Sequence, residues 1–272
     1  MTELHYLSAV EAKRLFADGS LSPLELLDAV VARGVEHEPQ VNALTEQWVD
    51  EAREQARAAA DRYARREVVR PLEGIPLLLK EEQPIAGRTL EEGSLSEKGT
   101  IADVTHPVVE RVCAAGAVVH GRTTTPEFSC AAFTHTELWG VTRNPWDLAM
   151  SPGGSSGGSG AALAAGETTL ATGSDIGGSI RLPSSLSGVV GFKPPFGRVP
   201  GMPPFNSDTY CADGPMARTV ADVALLQNVL AGPHPADQAS LRPAYVLPER
   251  PEPATGLRVA LCVNLGDFEV DR

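Results

Sequence analysis

Apolar positions recur along this chain with a helical period at first and with shorter, alternating runs later. Ser8-Ala9-Val10-Glu11 reads as a capping box, in which a hydroxyl and a Glu three residues on satisfy the free N–H groups of a helix start. Ser22-Pro23-Leu24-Glu25 is a second, with Pro at the first helical position. The helix from Ser22 places Leu24, Leu27, Val30 and Val31 on one face. A third helix, rich in Ala, Glu and Arg, is expected from about Val49 to about Arg66. These short amphipathic helices need a surface to cover.

Past residue 70 the pattern changes. Ile75-Pro76-Leu77-Leu78-Leu79 is a short apolar run, read as a buried strand. Pro107 to Ala115 has helical spacing, and Ala117-Val118-Val119-His120 reads as a strand. A helix near Ala161, a strand near Thr169 and the run Val189-Val190-Gly191-Phe192 follow. Met216 to Ala231 reads as an amphipathic helix and Leu257 to Val263 as a strand. Between the last two, residues 233–256 are rich in Pro and charge and are expected to form a surface excursion. Strands alternating with helices predict an α/β sheet covered on both faces. A buried strand this close to Arg272 implies further elements beside it, so the chain is expected to be incomplete.

Composition narrows the function classes. With 42% hydrophobic and 21% charged residues in 272, the chain is an ordinary globular protein with room for a sizeable core. Its 23 Lys plus Arg stand against 35 Asp plus Glu, a net charge of -12 that repels phosphate backbones and argues against a nucleic-acid partner. Cys113, Cys130, Cys211 and Cys262 show no C-x-x-C spacing and no accompanying His cluster, which argues against a metal site. Scattered in this way, they read as small buried hydrophobes in a reducing compartment, the cytoplasm. A charged, cappable helix begins by Ser8, where a secretory apolar core would sit, and no run reaches the length of a membrane span.

Two glycine-serine stretches carry the candidate chemistry, Ser151 to Gly160 and Gly173 to Arg181. Glycine admits positive φ and close approach of backbone to ligand, and successive N–H groups can form a concave anion site. A hydroxyl beside such donors meets the requirement of acyl transfer. Three other readings compete. A Gly/Ser stretch is commonly a linker, but this one runs into Ala161-Ala162-Leu163-Ala164-Ala165, a helix of small residues. A phosphate loop needs Lys where Ser159 stands. Gly153-Gly154-Ser155-Ser156-Gly157 matches a nucleophile elbow literally, but the only later His is His234 and the preceding residues form a poor strand. A base other than His is then required. Lys80 closes the Ile75 run; a solvated strand end is the common role of such a lysine, whereas one tucked between glycine loops can act as a base.

These residues resemble the amidase signature family. The resemblance rests on Gly74-Ile75-Pro76-Leu77-Leu78-Leu79-Lys80, on Gly121 to Phe128, and on Thr142-Arg143-Asn144-Pro145-Trp146. It continues through Ser151 to Gly160, Ser174 to Pro183, Gly188 to Pro194 and Gly214 to Val220, nearly the whole chain. It implies a mixed β-sheet core covered by helices on both faces, with a C-terminal portion missing beyond Arg272. Residues 1–272 would form one truncated domain, with the helical segment 1–70 packing on the catalytic core 71–272. It implies a Ser-cisSer-Lys triad of Ser179 as nucleophile, Ser155 as bridging serine behind a cis Gly154-Ser155 bond, and Lys80 as base. It further implies an oxyanion hole from the N–H groups of Ile176, Gly177, Gly178 and Ser179. Ser156, Asp175 and Arg181 match positions that brace these loops, and a plain ion pair and cap would serve as well. No cofactor is implied; the partner is a small-molecule amide, and a homodimer is left open.

Two departures bear on function. Glu81 stands where most of the family has Asp, and Ser174 stands where Thr is usual. Lys80-Glu81-Glu82 also differs from the Lys-Asp-Asn typical of the A subunit of the tRNA-dependent amidotransferase. A free-standing amidase is the favoured expectation. That subunit, which releases ammonia from glutamine, and a catalytically silent remnant are the alternatives. The loop Gly201-Met202-Pro203-Pro204-Phe205-Asn206 is a candidate pocket wall.

Overall fold

The computed structural model describes residues 3–248, 254–264 and 266. It opens on the three expected helices, α1 (Ala9–Asp18), α2 (Pro23–Val41) and α3 (Val49–Ala64). The Ser8 hydroxyl accepts the Glu11 N–H, and at Ser22 the capping box is complete in both directions. On α2, Leu26, Leu27, Val30 and Gly34 are buried, while Leu24 and Val31 are half-buried. The stripe is wider than its spacing indicates because α2 packs two ways. Leu27 and Val30 meet Ala52 and Ala56 of α3, and Leu26 enters a second cluster with Phe16 and Ile75. A short strand that the pattern does not announce, β1 (Leu44–Gln47), separates α2 from α3. Glu38 turns the chain into it by accepting the N–H groups of Ala43 and Leu44 at 2.7 and 3.1 Å.

The strands β2 (Pro76–Lys80) and β3 (Val118–Thr123) follow, with α4 (Pro107–Ala114) between them. A two-residue pair, β4 (His135–Thr136) with β5 (Gly140–Val141), forms a separate small sheet. Then come α5 (Gly157–Ala165), β6 (Leu170–Asp175), α6 (Arg181–Ser187), β7 (Val190–Gly191), β8 (Ala212–Ala217) and α7 (Val220–Leu230). The main sheet runs β1-β3-β2-β6-β8-β7. Its centre, β3-β2-β6, is parallel, and antiparallel strands flank it on both sides.

Every residue of β2 is buried, so the strand has no polar face. Leu77 and Leu79 point into the large core with Val108 and Val112 of α4 and Leu226 and Leu230 of α7. Leu78 points the other way, onto Ala161 and Ala162 of α5. Each buried leucine contributes about 1.5–3 kcal/mol of transfer free energy. Helices thus cover both faces of a mixed sheet, as the alternation of elements predicts.

Three expectations are corrected. Met216 lies in a strand, and the following helix begins only at Val220, behind a Thr219 cap that accepts the Asp222 N–H. β8 pairs with β6 along its whole length, from Leu170↔Ala217 to Asp175↔Ala212, and that pairing claims Met216. The helix is also not amphipathic, since Asp222 and Gln227 are buried with its leucines. Leu257 to Val263 forms no strand; Leu257, Val259, Leu261 and Val263 are 66–87% exposed, because no strand among the described residues lies beside them. Finally, the cysteines are not buried hydrophobes: Cys113, Cys130 and Cys262 are exposed, Cys211 is half-buried, and all are free.

Arg111, donating to the carbonyls of Leu230, Gly232 and Pro233, ties down the start of the 233–256 excursion, of which residues 249–253 lie outside the described residues. Among the described residues, no helix is long and apolar enough to cross a membrane.

Candidate active site

Parallel neighbours bring their carboxyl ends to the same edge of a sheet. Lys80 ends β2, and Ser174 lies near the end of β6, paired parallel to it. Lys80 is fully buried. Its amine donates to Ser155 Oγ at 2.7 Å and to Ser174 Oγ at 2.9 Å, and lies 3.2 Å from Glu82 Oε2. Its backbone N–H donates to Thr172 Oγ1 at 3.0 Å, which fixes the strand end against β6.

Ser155 reaches Lys80 from a loop in which Pro152 to Gly160 are all buried, so the glycines here are no linker. They permit close packing. A Cβ at Gly154 would fall 2.7 Å from backbone atoms of Ala131 and Phe133, and one at Gly158 would fall 2.5 Å from the Thr124 nitrogen. The Gly154-Ser155 peptide is cis. The neighbouring serines tie the loop to β6. Ser156 Oγ donates to the Ser174 carbonyl and accepts the Ser174 N–H, both at 3.3 Å, and Ser159 Oγ donates to the Thr172 carbonyl at 2.8 Å.

The turn 176–181 is built around Asp175, whose side chain is fully buried. One carboxylate oxygen accepts Gly178 N–H at 2.8 Å and Arg181 Nη2 at 2.8 Å. The other accepts the N–H groups of Ile180 and Arg181 and the Arg181 Nε, at 2.9–3.2 Å. Burial alone would raise this carboxyl; the Arg181 guanidinium and the three backbone donors outweigh it and hold it below the usual range. Asp175 and Arg181 therefore brace the loop, as does Ser156, whose N–H donates to the Ser179 carbonyl at 3.0 Å. Gly178, at φ +127°, takes a backbone shape that suits glycine, and its N–H is committed to Asp175. The N–H groups of Ile176, Gly177 and Ser179 make no such bond among the described residues. Ile176 and Gly177 are exposed, and a Cβ at Gly177 would meet nothing within 4 Å.

Lys80, Ser155 and Ser174 are thus brought into direct contact. Ser179 shares one cavity wall with Ser155 and Ser174, behind which the Lys80 amine is buried, and makes no hydrogen bond to the Ser155 hydroxyl among the described residues. The cavity, of about 280 Å³, is also lined by Glu82, Asp213, Phe128 and the whole Gly201 to Asn206 loop, the expected pocket wall. Two of its polar lining residues are linked and anchored from behind: Gln83 Nε2 donates to Asp213 Oδ1 at 2.7 Å, and Thr172 Oγ1 donates to Gln83 Oε1 at 2.6 Å. Burial pushes the Asp213 carboxyl up, with His106 3.6 Å away opposing.

Glu81 turns away from the cavity to accept the N–H groups of Glu91 and Glu92, and burial, opposed by Arg122, raises it to about 7. Among the described residues, no group of His, Cys, Asp or Glu is arranged to hold a metal. Glu82 and Ser174 are two site residues that the sequence pattern does not single out. The one local signal is at Ser174, which stands where Thr is usual in the family pattern; Glu82 differs from the amidotransferase A subunit's Asn, but nothing in that marks it as a site residue.

A model of the family described as Amidase matches residues 25–272. The glutamyl-tRNA(Gln) amidotransferase A chain of Chloroflexus aggregans is 42% identical over 242 residues, 88% of this chain and 49% of that protein. The indoleacetamide hydrolase of Bradyrhizobium diazoefficiens is 38% identical over 271 residues, 97% of this chain and 51% of that protein. The crystal structure of a bacterial aryl acylamidase of the amidase signature enzymes matches with a TM-score of 0.84 at 34% identity, over 90% of this chain and 51% of its own. The chain spans about half the length of the curated relatives it matches. With its sheet, its loops and nearly all its length accounted for by that family, the chain belongs to the Amidase family of amidase signature proteins.

Proposed function

We propose that this chain carries the catalytic centre of an amidase that hydrolyses a small carboxylic amide to an acid and ammonia or an amine. The observation that carries the reading is the 2.7 Å hydrogen bond from the buried Lys80 amine to Ser155, a serine that lines one cavity with Ser179. Lys80, unprotonated in the reacting state, takes a proton from Ser155 as Ser155 takes one from Ser179. The Ser179 oxygen attacks the amide carbon. The N–H groups of Ile176, Gly177 and Ser179 receive the oxyanion, each such donor being worth on the order of 10²–10³ in turnover, while Gly178 shapes the turn. The proton returns to the leaving nitrogen, the C–N bond breaks, and water releases the acid from the acyl-enzyme. Ser156, Asp175 and Arg181 hold the two loops in register.

Residues 1–70 pack on residues 71–272 as one domain in this reading, and four free cysteines suit a reducing compartment such as the cytoplasm. Two relatives, an indoleacetamide hydrolase and an aryl acylamidase, have names that fit a free amide substrate. The expected result with a fluorophosphonate probe is labelling of Ser179, abolished in Ser179→Ala and slowed by about 10² or more in Lys80→Ala. Undiminished labelling of Ser179→Ala overturns the assignment.

A further inference from the structure

The Lys80 amine has three oxygen neighbours, and the proton relay uses only one. An ammonium group has three N–H donors. Ser155 Oγ at 2.7 Å, Ser174 Oγ at 2.9 Å and Glu82 Oε2 at 3.2 Å supply one acceptor for each. Two of the three are hydroxyls; the third is a carboxylate. Glu82 is itself held in place: Arg122, fully buried, donates to the carbonyls of Glu81 and Gln83 on either side of it, and Ser129 Oγ donates to its Oε2.

We infer that Glu82 is a positioning residue for the reaction, the carboxylate that stabilises the positive charge Lys80 acquires when it takes the serine proton. The inference rests on the proposed amidase reading. No bond is made or broken at Glu82: the proton that leaves Ser179 appears, through Ser155, on Lys80 Nζ, and the ammonium so formed donates to Glu82 Oε2. The role matches that of the Asp in a Ser-His-Asp triad, which orients the base and stabilises its cation without itself being protonated.

The other ionisable groups near the pair sit differently. Glu81 faces the backbone of Glu91 and Glu92. Asp213, on β8, is bonded by Gln83 and lies 3.6 Å from His106. Cys211 and Glu92 stand near enough to act through space. Only Glu82 makes an ion pair with the amine among the described residues. Burial would raise Glu82; Lys80 first, then the Ser129 hydroxyl, bring it below the usual range, as a carboxylate facing a cation should behave.

The test is the pH dependence of Ser179 labelling by the fluorophosphonate, with folding checked by circular dichroism. Removing a carboxylate beside a cation favours the neutral amine. In Glu82→Gln the acid limb should therefore move to lower pH by about one unit or more, while the plateau rate falls about tenfold or more as the ammonium loses its partner. Glu82→Asp should restore much of both. Acid limbs and plateaus that superimpose on the parent overturn the inference. If Glu82→Gln does not fold, Ser129→Ala, which removes a donor that competes with Lys80 for Glu82 Oε2, should move the acid limb by a smaller amount to higher pH, and no shift overturns the inference.

A parent chain that is not labelled at all counts against the amidase reading instead. The link is then read directly, because the chain has four lysines and the Lys80 Cε resonance is assigned by its loss in Lys80→Met. Its titration should fall at lower pH in Glu82→Gln than in the parent, and coincident curves overturn the inference.

Discussion

Asp175 illustrates how far one side chain can set a loop. Five donors converge on its two oxygens, three of them backbone N–H groups from residues 178–181. Arg181 is more than half exposed, so its charge is screened and the backbone donors carry most of the bracing. Glu167 is the opposite case. It is buried just past the end of α5, and burial first, then repulsion from Glu38, push its carboxyl well above the usual range. A group whose folded value is raised keeps its proton after the unfolded chain has lost it. Stability is then highest below the ordinary carboxylate range and falls as pH rises toward the raised value, by about 1.4 kcal/mol per pH unit. Gln mimics the protonated form at every pH. The advantage of Glu167→Gln over the parent in thermal unfolding should therefore grow from pH 5 to pH 8, reaching about 1 kcal/mol or more; a pH-independent difference would refute it.

At the scale of elements, α5 shows why a glycine-rich segment can be rigid. Its first turn, Gly157-Gly158-Ser159-Gly160, is buried against Thr124 and Thr134. In an open helix Ala would gain about 1 kcal/mol over Gly. At Gly158 the added methyl would fall 2.4 Å from Thr124 Oγ1, 2.5 Å from its nitrogen and 2.7 Å from the Ala43 carbonyl. Backbone atoms cannot give way as a flexible side chain can, so overpacking, at about 1–3 kcal/mol or more, wins. Gly158→Ala should lower the unfolding midpoint. Gly177→Ala, with nothing in reach, should leave stability within about 0.5 kcal/mol while slowing labelling of Ser179. Equal loss of stability in the two variants would contradict this account.

Across the whole molecule, order follows the sheet. β2 and β6 are covered on both faces and paired on both edges, whereas residues 257–263 carry four large apolar side chains into solvent. Hydrogen exchange should divide accordingly, with β2 and β6 amides protected to the limit set by global unfolding and those of 257–262 exchanging near the free-chain rate. Protection of 257–262 comparable to β6 would show that this run is covered. Its regular alternation is what made it legible as a strand. A strand, however, requires a neighbour as well as a pattern, and none among the described residues is adjacent.

Much of the fold could be read directly because it depends on local rules. The capping hydroxyls at Ser8 and Ser22 mark helix starts by satisfying free N–H groups, and the unbroken apolar run before Lys80 marks a strand buried on both faces. The motif order was enough to bring Lys80, Ser155 and Ser179 into one expected site. What depended on pairing at a distance was not legible. Met216 belongs to a strand because β6 lies beside it, and β1 exists because Glu38 turns the chain onto β3. The same holds within the site. Nothing local distinguishes the Gly178 N–H from its neighbours, yet Asp175 takes it. Nothing local sets Glu82 apart from Glu81, yet the end of the strand turns one carboxylate toward the Lys80 amine and the other toward the Glu91–Glu92 backbone. Caps, periods and motif spacing act between residues close along the chain, so the sequence alone determines them. The direction of a charge or an N–H depends on residues remote in the chain, and only the tertiary structure decides it.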